Sequence, residues 1–237
     1  TPCYTLERSH QMKEFYSDQE YLTAMSHFLA GDWDAAQKAF ADLDKKYAEE
    51  PFIKLLRGNV DYSRGDLDEA VEQYKAAIAL NPSYGNAYYK LGVCYYRMGQ
   101  LDMALDAFNK VVEMKDQSHA MAGYFVGLID LFLGRDKKAA EAFEQFHKMS
   151  PESRIANFYL AHMKIRQKEF KEALKLLSEL VEATPDFAEV HYMLGVAHYG
   201  LHNNTEAVKC FQQALEINPE DERSRSKLAL ITEVQWP

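Results

Sequence analysis

His191, His198 and His202 form the densest group of potential metal ligands in the chain. His198 and His202 stand four apart in HYGLH, a spacing that puts two imidazoles on one helix face, where they could share a metal. The hydrolytic form of that motif needs a glutamate directly after the first histidine, and Tyr199 stands there instead. The three therefore read as packing or surface side chains. Acid–base chemistry has no better support, because Asp66, Asp68 and Glu69 lie at a helix start, where carboxylates are solvated and favoured by the helix dipole. No serine or cysteine has a histidine that the chain would bring near, and no glycine-rich phosphate loop is present. Cys3, Cys94 and Cys210 are odd in number and far apart, with no paired ligand spacing. Cys94 and Cys210 fall in helical patterns and read as buried thiols. The expectation is a protein with no catalytic residues, no metal and no cofactor.

The elements that carry these residues repeat. On a period of 34 residues, units start at Ser17, Pro51, Gly85, Ala120, Arg154 and Ala188, with one extra residue before Ala120. The eighth position of each unit is small: Ala24, Gly58, Gly92, Gly127, Ala161 and Gly195. The twentieth is always alanine, at Ala36, Ala70, Ala104, Ala139, Ala173 and Ala207. Small residues at both places let two helices cross closely. A bulky residue follows at position 24 (Phe40, Tyr74, Phe108, Phe143, Leu177 and Phe211) and fills the space that the small ones leave. Gly31, Gly65, Gly99 and Gly134 mark turns between the two helices of a unit. Pro82, Pro151, Pro185 and Pro219 end second helices.

These residues carry a resemblance to the tetratricopeptide repeat (TPR) family, whose pattern of Leu-Gly, Tyr, Ala, Phe, Ala and Pro has this period. It spans about residues 17 to 220, and the third unit fits best, with Tyr88, Leu91, Gly92, Tyr95, Ala104 and Phe108. The fold expected is all-α, a right-handed solenoid of six helix-turn-helix repeats with terminal capping helices. Residues 1–16 are expected to form a leading helix capped by Thr5, 17–119 repeats one to three, and 120–221 repeats four to six. A closing helix and tail would take 222–237, with Leu228, Leu230 and Ile231 inward and Glu222, Arg223, Arg225 and Lys227 toward water. The join at 116–119 lacks the proline and carries the extra residue, which fits either a hinge between the halves or a slightly longer turn absorbed with no change in curvature.

In each first helix, positions 4, 7, 8 and 11 form the packing stripe. The resemblance implies that positions 2, 5, 9, 12 and 13 line a concave groove that binds peptides. The residues expected to bind there are Asn59, Tyr62, Tyr89, Tyr96, Arg97, Tyr124, Phe132, Phe158, His162, Arg166, Tyr192 and Tyr199, with Tyr21 and Leu55 on the same stripe. Tyrosine suits a surface that is part wet and part dry, and Arg97 and Arg166 could pair with ligand carboxylates. Chaperone-binding members of the family clamp a C-terminal carboxylate with a lysine at position 5. Here that position holds Tyr21, Leu55, Tyr89, Tyr124, Phe158 and Tyr192, leaving Asn59 as an isolated match at position 9.

Composition bounds the partners. The 237 residues are 47% hydrophobic, and 36 acidic against 27 basic side chains give a net charge of −9. That balance opposes nucleic acid and anionic membrane, and no apolar run reaches the roughly 20 residues of a membrane span. The N-terminus lacks the apolar core of a signal peptide, and the cysteines mildly favour a reducing compartment. The expected role is that of a cytoplasmic, non-enzymatic scaffold for a protein or peptide partner. The alternative is a self-assembling homo-oligomer at the periphery of a membrane or organelle. Bacterial assembly scaffolds of the same family, the magnetosome-associated one among them, are similar in size and in their division into halves.

Overall fold

The computed structural model describes residues 18–114 and 119–232. The leading helix with Thr5, Cys3, the join at 116–118 and the tail with Trp236 lie outside them. Thirteen α-helices and no strand occur among the described residues: α1 (Gln19–Leu29), α2 (Trp33–Lys46), α3 (Pro51–Arg64), α4 (Leu67–Leu80), α5 (Gly85–Arg97), α6 (Leu101–Glu113), α7 (Met121–Phe132), α8 (Asp136–Met149), α9 (Arg154–Arg166), α10 (Phe170–Ala183), α11 (Ala188–Gly200), α12 (Asn204–Ile217) and α13 (Glu222–Thr232). The chain divides into two compact units, Thr1–Ala122 and Gly123–Pro237.

Within each unit, consecutive helices pack on one another. In the first, α1 lies against α2, α3 against α4 and α5 against α6; in the second, α9 lies against α10 and α11 against α12. The small positions make these contacts close. A Cβ placed on Gly92 would lie 2.8 Å from the Phe108 ring, and one on Gly127 or Gly195 would lie 2.6 Å from Phe143 or Phe211. Each glycine is therefore a seat for an aromatic ring from the second helix. The alanines at position 20 and the bulky residues at position 24 are fully buried throughout.

The turn inside each pair has one conformation. Gly31, Gly65, Gly99 and Gly134 are left-handed, with φ between +70° and +94°, and Lys168 and His202 hold the same place at φ +62° and +63°. A left-handed residue ends the first helix and reverses the chain within a few residues, and glycine adopts that conformation without steric cost. Pro82, Pro151, Pro185 and Pro219 each stand two residues past the end of a second helix. Side-chain N-caps from Asp18, Asp32 and Ser153 begin α1, α2 and α9.

Neighbouring pairs are joined by polar contacts on packing-stripe positions. Lys164 on α9, mostly buried, meets Glu144 on α8 at 3.2 Å and Glu172 on α10 at 3.0 Å. Asp61 on α3 accepts a hydrogen bond from Gln37 on α2 at 3.1 Å. Lys54 and Arg57 on α3 pair with Asp44 on α2.

The closing helix differs from expectation. It runs from Glu222 to Thr232 and packs on α12. Leu228 and Ile231 are only half-buried and Leu230 is 51% exposed, so the predicted inward face is largely open. The reason is geometric: among the described residues no second helix follows to cover that face.

Candidate protein-binding site

The twelve residues expected on the binding stripe all keep contact with solvent, whereas most of the packing positions beside them are buried. Two further stripe residues do not: Tyr21 and Leu55 are buried and cannot line a groove. Tyr21 sits in the core cluster of α1, α2 and α3, with its ring 6.4 Å from Phe52.

On the first unit the site is carried by α3 and α5. Asn59 is oriented by the Tyr74 hydroxyl, which donates to its Oδ1 at 2.9 Å. The Arg97 guanidinium lies over the Tyr62 ring, 5.1 Å from its centroid, and its Nη1 donates to the Tyr62 carbonyl at 3.5 Å. No carboxylate among the described residues pairs with Arg97, which is exposed. Tyr96 beside it is 40% exposed. Tyr89 is held more firmly: it meets Phe108 edge-on at 5.8 Å and His119 at 5.9 Å. Burial pushes its phenol above the ordinary value.

On the second unit the corresponding residues come from α7, α9 and α11. Tyr124 packs against Tyr159 at 5.3 Å and Phe146 at 6.2 Å. Phe158 stacks on Phe187 at 5.6 Å, a ring contributed by the loop before α11. Tyr192 lies between Phe211 at 5.9 Å and the Arg223 guanidinium at 4.4 Å. Its phenol is also raised by burial. Burial, and then the nearby Arg166, holds the His162 imidazole below its ordinary value and so in the neutral form at neutral pH. Phe132, at the end of α7, is 80% exposed.

Two expectations change here. Arg166 is not a ligand arginine in waiting: its Nε donates to Asp136 at 3.0 Å and its Nη2 reaches the same oxygen, which ties α9 to α8. Arg223 and Lys227 do not simply face water. Arg223 covers Tyr192 and pairs with Glu189, while the Lys227 ammonium lies 5.8 Å from the Tyr199 ring. The 34-residue register held the signal, because Arg223 stands at the second position of a further unit. The rings at position 5 are therefore backed by neighbouring groups. On the first unit Tyr62, Tyr96 and Arg97 form the more open part of the stripe, and on the second unit Phe132 does.

Such a surface offers ring faces, hydroxyls, an amide and a cation. The histidines are placed for packing and turning: His191 Nε2 lies 2.7 Å from the Pro185 carbonyl, and His202 is the left-handed turn residue. No group of three potential metal ligands occurs among the described residues, and none of their helices is long and apolar enough to cross a membrane.

Sequence models described as TPR or tetratricopeptide repeat match residues 20–49, 58–99, 85–117, 134–195 and 164–231. A TPR repeat-containing protein of Methanocaldococcus jannaschii, MJ1428, is 28% identical over 86% of this chain and 32% of its own length. The chain spans less than half the length of the first curated relatives it matches. Among solved structures, YrrB, described as a TPR protein with an unusual peptide-binding site, superposes with a TM-score of 0.72 at 22% identity, covering 81% of this chain and 98% of its own. MamA superposes with a TM-score of 0.63 at 23% identity, covering 80% and 99%. The periodic small and bulky residues, the paired helices and these matches agree: the chain belongs to the tetratricopeptide repeat family, and its fold is that of a protein-interaction scaffold.

Proposed function

We propose that the chain binds a segment of another protein on the tyrosine-rich stripe of its first unit, and that the segment carries a carboxylate. The observation that carries this reading is Arg97, exposed above the Tyr62 ring with no acidic partner among the described residues of a chain whose net charge is −9. A carboxylate of the bound segment supplies the missing partner. The Asn59 amide nitrogen is placed to donate to a backbone carbonyl, and the faces of Tyr62 and Tyr96 take an apolar side chain. Binding is recognition without chemistry: a preformed surface loses little entropy, and aromatic anchors supply most of the affinity.

The test is a peptide-display selection on the purified chain, followed by titration of the selected peptides. Selected segments are expected to combine an acidic group with an apolar residue. They should lose at least about tenfold in affinity on a Tyr62→Ala, Tyr96→Ala, Arg97→Gln variant that keeps its helical circular dichroism. Equal affinity for variant and parent would refute the site.

Self-assembly is the second reading, favoured by Leu29 on α1, 78% exposed, and Leu230 on α13, 51% exposed. A contact between such surfaces on two copies would be head-to-tail. Light scattering across a concentration series, with Leu230→Lys as control, separates this reading from binding of a foreign segment.

A further inference from the structure

Each second helix begins at position 17 of its unit, so position 18 is the second residue of α2, α4, α6, α8, α10 and α12. Among the first three of these helices that residue is always aspartate, at Asp34, Asp68 and Asp102. A carboxylate there faces the positive end of the helix dipole and favours the helix. In the second compact unit the same place holds Lys137, Lys171 and Thr205. An ammonium at a helix start opposes the dipole, and both lysines are exposed, so burial gives nothing back. A local preference broken without compensation is expected where function requires it.

The surroundings deepen the contrast. Lys138 and Lys168 stand close in sequence to these two lysines, and all four are exposed with no ion pair or hydrogen bond among the described residues. The carboxylates beside them in sequence are already engaged: Asp136 accepts from Arg166 at 3.0 Å, and Glu169 and Glu172 pair with Lys164. On the first unit the imbalance is reversed. Arg64 pairs with Asp34 and Asp66 at 3.0 and 2.9 Å, while exposed Asp68 and Glu69 have no ion pair among the described residues. Arg64 and Arg166 thus tie consecutive turns together, so each row of charge runs along one edge of its own unit. Residues 18–114 carry 16 acidic and 10 basic side chains, against 16 and 14 in residues 119–232.

We infer that the lysine row on α8 and α10 is a docking surface for the aspartate row on α2, α4 and α6 of a second copy of this chain. The occupant is given by charge complementarity within the molecule: the two rows have opposite sign, the same place in the helix and the same spacing of one residue per helix pair. Copies of a chain with net charge −9 repel one another overall. At physiological ionic strength that long-range repulsion is screened beyond about 8 Å, whereas charges brought into contact still attract. A single exposed pair contributes little, so the contact draws on the whole row and weakens with salt. It joins unlike surfaces of two copies and is therefore head-to-tail. It uses neither Leu29 and Leu230 nor the Arg97 site, and it stands or falls apart from both.

The test is sedimentation of the full chain over a concentration series, with two charge-reversed variants whose folding is checked by circular dichroism. One carries Lys137→Asp and Lys171→Asp, the other Asp34→Lys, Asp68→Lys and Asp102→Lys. The parent is expected to associate reversibly at about 50 mM salt and at least about tenfold more weakly at about 500 mM. Each variant alone should stay monomeric, and an equimolar mixture of the two should associate, because each supplies the row that the other lacks. The milder Lys137→Gln, Lys171→Gln chain should also lose association, which keeps the test decisive if a reversed variant fails to fold. Leu230→Lys should leave the parent's association unchanged. Three results would each overturn the inference: no association of the parent at low salt up to about 1 mM chain, undiminished association of the Lys137→Gln, Lys171→Gln chain, or folded reversed variants that do not associate when mixed. Association abolished by Leu230→Lys with both rows intact would do the same, since the contact would then lie at the apolar ends.

Discussion

Asp61 shows how a single residue's environment sets its contribution. It occupies a packing-stripe position on α3, is 4% exposed, and has Gln37 as its hydrogen-bonding partner from α2. Burial raises its carboxyl above the ordinary value, and the Gln37 hydrogen bond offsets only part of that. A folded-state value above the unfolded one stabilises the fold at pH below the ordinary carboxylate range. That contribution is lost as pH rises through the raised value, so at neutral pH the ionised group costs stability. Asp61→Asn keeps the acceptor for Gln37 and removes the charge. Its melting temperature should exceed the parent's at pH 7, and the gain should shrink toward pH 4; thermal melts at the two values check both statements. The stripe residues obey the same rule of context. Arg97 and Arg166 occupy equivalent positions, yet Arg166 meets Asp136 on the preceding helix, whereas Arg97 meets the ring and carbonyl of Tyr62 and no carboxylate.

At the scale of the elements, each pair depends on a left-handed residue between its helices. Glycine supplies it four times, but Lys168 and His202 are forced into it at φ +62° and +63°. A left-handed conformation costs a residue with a Cβ about 1–2 kcal/mol, and part of that returns when glycine replaces it, because glycine loses more entropy on folding. Lys168→Gly and His202→Gly should each stabilise the chain by up to about 1 kcal/mol, read from urea midpoints at unchanged slope. The glycines of the other four turns announce the conformation in the sequence. At Lys168 and His202 only the 34-residue register does.

For the whole molecule, the two compact units predict how damage spreads. Phe40 is fully buried in the cluster that joins α1, α2 and α3. Truncation to alanine should cost about 3–5 kcal/mol, the usual penalty for emptying an aromatic site. In a stack of repeats that cost falls on near neighbours, since each pair contacts only the next. Hydrogen exchange on Phe40→Ala should therefore show faster exchange in α1 to α4 and parental protection in α9 to α12. Uniform loss of protection would mean that the chain unfolds as one cooperative body.

The repeat itself was written in the sequence. Small residues at positions 8 and 20, a bulky one at position 24 and a proline after the second helix specify a crossing that needs only local chain and one neighbour. Periodicity therefore sufficed to place helices, turns and core, down to Gly92 against Phe108. The openness of each stripe residue was decided only by tertiary structure, because it depends on groups far along the chain. Phe187 shelters Phe158 from 29 positions away, Asp136 claims Arg166 across 30, and Arg223 covers Tyr192 from α13, two helices on. A helix's own period fixes which side chains share a face. Which of them remain for a partner is settled by where the neighbouring helices and loops come to rest.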